Sequence, residues 1–246
     1  MKQIVPFLLL FAFTATLLHS CKDVDMPTTA PPEEAEFVVE MRILQGQEYE
    51  TETVTAGDIF SIEVTVMEKN DSIRVEGVEI ELDLNDGEFN DGNSEPDVTC
   101  SDGKKIFDGL KIEKAQEYNI SVTAKDIGEE STNLTIEPAE ADIGRTKLVD
   151  WAENGESGSV DDEIEIKVQV NDRYGNHRKD EDDTVIVTFV KTDTNSDFKA
   201  TTHEGLDDES GYHIFRHKFG DSGIYSVNIK FNENQQGQPK GTLEII

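Results

Sequence analysis

The sequence predicts an all-β protein: two tandem β-sandwich domains behind an apolar leader and a short tether. Three observations predict it. Apolar and polar residues alternate from Glu36 onward, the pattern recurs 104 residues later, and the first 35 residues share neither property. Alternation with period two marks strands with one face on a core and one in water, whereas an amphipathic helix needs a period of 3.6.

In "FSIEVTVME" the alternating positions are Phe60, Ile62, Val64 and Val66. "VEIELDL" alternates Val78, Ile80, Leu82 and Leu84, and "YNISVTA" alternates Tyr118, Ile120 and Val122. Acidic, Gly- and Asn-rich stretches lie between these runs and read as turns. The order then repeats. Ile62, Val64 and Val66 match Ile166, Val168 and Val170, and Tyr118 in "EYNISVT" matches Tyr225 in "IYSVNIK". Each unit closes on a further strand, "TNLTIEP" and "GTLEII". About seven short strands per unit with turns between them is a sandwich pattern. The expected divisions are residues 36–138 and 139–246, with the boundary in "EPAEADIG".

The N-terminus follows a different logic. Lys2 precedes the apolar run "IVPFLLLFAFTATLL", and a small residue, Ser20, precedes Cys21. This is the layout of a secretory signal, residues 1–20, too short to span a bilayer comfortably. Residues 21–35 carry three prolines, small residues and acids, and read as an extended tether.

Charge narrows the partners. The chain holds 53 Asp and Glu against 22 Lys and Arg, a formal net charge of −31. Such a surface repels nucleic acid and anionic bilayers. Cysteine usage is sparse for an exported protein: only Cys21 and Cys100. Cys100, with no base in view, reads as a strand-end residue rather than a nucleophile.

Several stretches resemble known families. Leu18-His19-Ser20-Cys21 resembles a bacterial lipobox, which implies acylation of Cys21 and removal of the residues before it. Lys22-Asp23-Val24-Asp25 resembles the surface-export signal of Bacteroidota-type lipoproteins, with Lys22 where inner-membrane retention uses Asp. The implied place is the outer membrane, anchored by lipid and facing outward. "DSGIY", residues 221–225, resembles the Asp-x-Gly-x-Tyr-x-Cys signature of the immunoglobulin fold, with Val227 in place of the Cys; the first unit keeps Tyr118 inside "KAQEY". Across 36–246, "VQVNDRYGNHRKDEDDTVIVTF" and "GYHIFRHKFGDSGIYSVNIKF" resemble bacterial immunoglobulin-like and filamin-like repeats. That resemblance implies the sandwich and leaves function open.

Candidate sites are few. The loop 83–97 is rich in carboxylates, and Asp83, Asp86, Glu88 and Asp91 are hard-oxygen ligands of the type Ca²⁺ takes, without the EF-hand spacing. The loop 171–183 is a second acidic stretch, diluted by Arg173, Arg178 and Lys179. His213 and His217 lie four apart on a predicted strand and read as exposed residues rather than zinc ligands. Trp151, the one Trp, is a candidate stacking surface for a sugar, or a packing residue. No nucleophile elbow, phosphate loop or dinucleotide fingerprint appears, and the chain reads as a non-enzyme. Three roles stay open: a surface binding, adhesion or scaffold module with a protein or glycan partner; a glycan-binding accessory of an uptake system; and a passive envelope spacer.

Overall fold

A computed structural model describes residues 36–46, 49–70, 72–85, 87–90, 92, 94–99, 102–151, 155–180, 182–199, 202–231 and 236–246. The leader, Cys21, the tether, Asp86, Asp91 and Cys100 lie outside them. Among the described residues the regular structure is strand, with no α-helix.

The first half of the chain forms β1 (Phe37–Gln45), β2 (Tyr49–Glu50), β3 (Thr53–Thr55), β4 (Ile59–Glu68), β5 (Glu79–Asn85), β6 (Asp97–Val98), β7 (Lys104–Lys111), β8 (Glu117–Ala124) and β9 (Gly128–Glu137). They make two sheets, ordered β2-β1-β4-β7 and β3-β9-β8-β5-β6. The second half forms β10 (Lys147–Val149), β11 (Glu156–Gly158), β12 (Glu163–Gln169), β13 (Ile186–Lys191), β14 (Ser196–Lys199), β15 (Thr202–Leu206), β16 (His213–Lys218), β17 (Gly223–Lys230) and β18 (Gln238–Ile245). Its sheets run β10-β12-β16-β15 and β11-β18-β17-β13-β14. The two halves share one immunoglobulin-like plan. In each, the leading strand pairs in one sheet, and the next segment to join the opposite sheet, β3 or β11, lies parallel to the last strand, β9 or β18.

The alternation explains the strands directly. In β5, Ile80, Leu82 and Leu84 point inward while Glu79, Glu81 and Asp83 face water. The repeated triplets, Ile62-Val64-Val66 and Ile166-Val168-Val170, are all fully buried. Each such side chain stabilises the fold by roughly 1.5–3 kcal/mol relative to exposure. One core gathers residues from Val39 to Ala139, and another gathers residues from Ile166 to Ile245.

The tyrosine resemblance has a physical basis in both halves. Tyr225 Oη donates to the carbonyl of Asp221 at 2.9 Å, and Tyr118 Oη donates to the carbonyl of Lys114 at 3.0 Å. The "KAQEY" variant keeps the corner because the acceptor is a backbone carbonyl four residues upstream, indifferent to side-chain identity. Burial pushes the Tyr118 hydroxyl pKa up.

The histidines differ from expectation. His213 is fully buried and His217 is 8 % exposed. The period-two register that turns Phe215 inward turns both neighbours at two residues' remove inward as well. His217 stacks on Phe189 at 5.1 Å and meets Phe219 edge-on at 4.6 Å. His203 Nε2 lies 3.3 Å from His213 Nδ1, while His213 Nε2 is buried without a partner.

Candidate functional site

The segment "NDRYGN" of the second sandwich, residues 171–176, meets the end loops of the first. Asp172 organises it. Its carboxylate is fully buried and accepts four hydrogen bonds. Oδ1 accepts the backbone N–H groups of Tyr174 at 2.9 Å and Asn176 at 2.8 Å, an Asx-type turn. Oδ2 accepts the backbone N–H of Ala139 at 2.9 Å and the Asn176 amide at 2.8 Å. Gly175 stands at φ +90°, which a β-carbon would oppose.

Asn176 joins the sandwiches. Its Oδ1 accepts the N–H of Ala115 at 2.9 Å, and its Nδ2 donates to the carbonyl of Glu113 at 2.7 Å. Ala139 works from the other side: its side chain packs in the first core while its N–H bonds Asp172 of the second sandwich. Arg178 donates to the Ala139 carbonyl and is itself held by Asp183 and Asp180, which push the guanidinium pKa up. Tyr174 lies so close to Gly57 that a β-carbon there would stand 1.9 Å from its hydroxyl oxygen. Gly57 also holds φ +83°, so a side chain at this position is excluded twice.

Beside this joint is an open cleft of about 690 Å³, lined from both sandwiches by Gly87, Glu88, Asn90, Glu113, Lys114, Tyr118, Arg145, Arg173, Tyr174 and Asn176. Asn90 is fixed by accepting the N–H of Glu113 at 2.7 Å. The Arg173 guanidinium sits 4.8 Å from the Tyr174 ring centre, and Lys111 Nζ lies 5.7 Å from the same ring. Both distances suit cation–π attraction.

Three cations converge on this cleft. Lys69, Lys104, Lys105, Lys111, Lys125, Lys167, Arg178 and Arg216 each hold a carboxylate. Lys114, Arg145 and Arg173 hold none among the described residues, and all three are exposed. The arrangement presents several N–H donors to solvent beside the half-buried Tyr174, while the buried Tyr118 keeps its hydroxyl on the Lys114 carbonyl.

The residues singled out in the sequence fall elsewhere or at the margin. Asp83 faces water on the outer side of β5, opposite Ser121. Glu88 lines the cleft. Among the described residues no three His, Cys, Asp or Glu side chains assemble into a metal-binding group. Trp151 packs on the second core, with its indole nitrogen against Gly241, where a β-carbon would come within 2.4 Å. That nitrogen is buried without a hydrogen-bond partner. The sequence marks 171–183 as an acidic stretch and gives no sign of the joint. The Asp-x-x-Gly-Asn spacing was visible, but the first-sandwich loops it meets are distant in sequence.

No family model matches the chain, and no curated protein matches it. Among solved structures, it is similar to FdeC, an Escherichia coli adhesin, at 15% identity over 84% of this chain and 64% of that one, with TM-score 0.47. It is similar to InvD of Yersinia pseudotuberculosis at 16% identity over 83% of this chain and 57% of that one, TM-score 0.48. It is similar to invasin, a bacterial integrin-binding protein, at 15% identity over 85% of this chain and 39% of that one, TM-score 0.38. The chain thus spans less than two thirds of each of these structures.

Proposed function

We propose that the chain is a non-catalytic binding module of the outer cell surface. It is anchored by acylated Cys21, spaced from the membrane by residues 21–35, and engages its partner through the cleft shared by the two sandwiches. One observation carries the reading. Loops from both sandwiches bring three cations that hold no carboxylate, and the half-buried ring of Tyr174, to one opening, at a joint fixed by Asn176. A passive spacer has no use for such a convergence. Loops held by a rigid scaffold are the usual binding surface of a sandwich.

The test has two arms. Cys21→Ala is expected to leave the fold intact and move the protein from the membrane fraction to the soluble one; an intact variant that stays with membranes refutes the anchor. A photo-crosslinking residue placed at 114, in the cleft, is expected to yield a recurrent adduct on intact cells. The same residue at 224, an exposed position on β17, is expected to yield none. Equal labelling from both positions, or none from either, overturns the binding role.

A further inference from the structure

We propose that the cleft at the joint takes an acidic glycan, a pyranose chain bearing carboxylate or sulfate groups. The inference rests on the binding-module reading above and adds the chemical class of the ligand.

Three features point to it. The first is charge. Lys114, Arg145 and Arg173 converge on the cleft and hold no carboxylate among the described residues, which leaves them open to an anion from outside. Arg145 and Arg173 are guanidinium forks, which match carboxylate and sulfate oxygens two at a time. The second is preorganisation. Tyr174 is half-buried at the rim, its position set by Gly57, and holds the Arg173 guanidinium 4.8 Å from its ring centre, which fixes one of the forks in place. The third is what the lining lacks: no aliphatic side chain is among the described residues that form it. A protein segment gains its affinity from apolar anchors seated in pockets, and this cleft offers none. An acidic sugar needs polar groups for its hydroxyls and an anchored cation for its anionic group, and the lining supplies both. A cavity of about 690 Å³ is within the ordinary range for a small ligand of a few rings.

The rest of the surface sets the length of the ligand. Acidic flanks repel a long polyanion beyond about one screening length, roughly 8 Å at physiological salt. The site therefore favours a short acidic stretch or a chain end over an extended polyanion.

Calorimetry on the full chain tests the proposal with four probes: a glucuronate-containing hexasaccharide without sulfate, its sulfated counterpart, a neutral glucose hexasaccharide and a penta-glutamate peptide. One or both acidic sugars are expected to bind, and which of them binds names the anion. The neutral sugar and the peptide are expected not to bind. Arg173→Gln and Arg145→Gln are each expected to weaken binding about tenfold. Both side chains are exposed, so the fold is retained. Glu88→Gln is expected to tighten binding about threefold by removing a carboxylate from the lining. Absence of binding to both acidic sugars, equal binding of the neutral sugar or the peptide, or indifference to both arginine substitutions overturns the inference. A recurrent adduct at position 114 without acidic-sugar binding would sink the ligand class and leave the binding module standing.

Discussion

Asp172→Ala is the substitution with the largest consequence for the joint. The wild-type carboxylate is fully buried and accepts three backbone N–H groups and one amide. Each hydrogen bond to a charged group contributes roughly 1.5–3 kcal/mol, and a buried donor left bare costs about 1–3 kcal/mol. Simple addition overshoots, because Arg173 and Gly175 are exposed and water reaches that side of the turn. The Ala139 N–H, between the two cores, has no such relief. The expected loss is about 3–5 kcal/mol, placing the variant among the severe ones. Asp172→Asn keeps one acceptor oxygen and turns an NH₂ toward two donors, so its loss is expected to be about half as large. The assay is equilibrium urea denaturation of the full chain followed by the fluorescence of Trp151, the sole Trp, which packs on the second core. A loss below about 1 kcal/mol for Asp172→Ala would refute the claim that this carboxylate organises the joint.

Two further outcomes are expected. Tyr118→Phe and Tyr225→Phe each strand one backbone carbonyl and should each cost about 1 kcal/mol in the same denaturation; a change in neither would show the corners to be ornamental. Acidification should weaken the second sandwich. Burial holds the pKa values of His177, His213 and His217 below the ordinary histidine value, and neighbouring His203 adds to the effect at His213. The folded state therefore refuses protons that the unfolded chain accepts. The stability is complete above about pH 6.5 and is lost as pH falls below it toward the depressed values. The melting temperature is expected to drop between pH 7.5 and 5.5, above most of the carboxylate range, and His213→Gln is expected to flatten the profile. A melting temperature constant over that window would contradict the assignment.

Much of the fold was legible because strands advertise themselves. Ile62, Val64 and Val66 could alternate only to fill a core, and their recurrence at Ile166, Val168 and Val170 announced a second one. Tyr118 was legible despite its altered context, since its partner is backbone. Two things escaped. His213 and His217 were read as surface residues because histidine does not count as apolar in an alternation pattern, yet Phe215 between them fixed their face. Asp172 looked like any solvated turn acid. Its burial comes from loops around Gly57, Glu113 and Ala139, and sequence spacing carries no record of such a meeting. The cleft shares that origin: Lys114 and Arg173 are 59 positions apart and become neighbours only through Asn176.

The parallel pairing of β3 with β9 bears on mechanics. Three residue pairs, Thr53 with Thr135, Val54 with Ile136 and Thr55 with Glu137, lie side by side and run in the same direction. A pull applied between Glu36 and the joint enters the first sandwich at β1 and leaves through the segment after Glu137, at Ala139 and Asp172. Such a pull slides the two strands past one another and loads their hydrogen bonds together in shear, instead of opening them one at a time. Only the first sandwich lies on that load path. The second, beyond the joint, is spared the force, and the cleft, part of whose lining belongs to the first sandwich, survives as long as that shear-loaded pair holds.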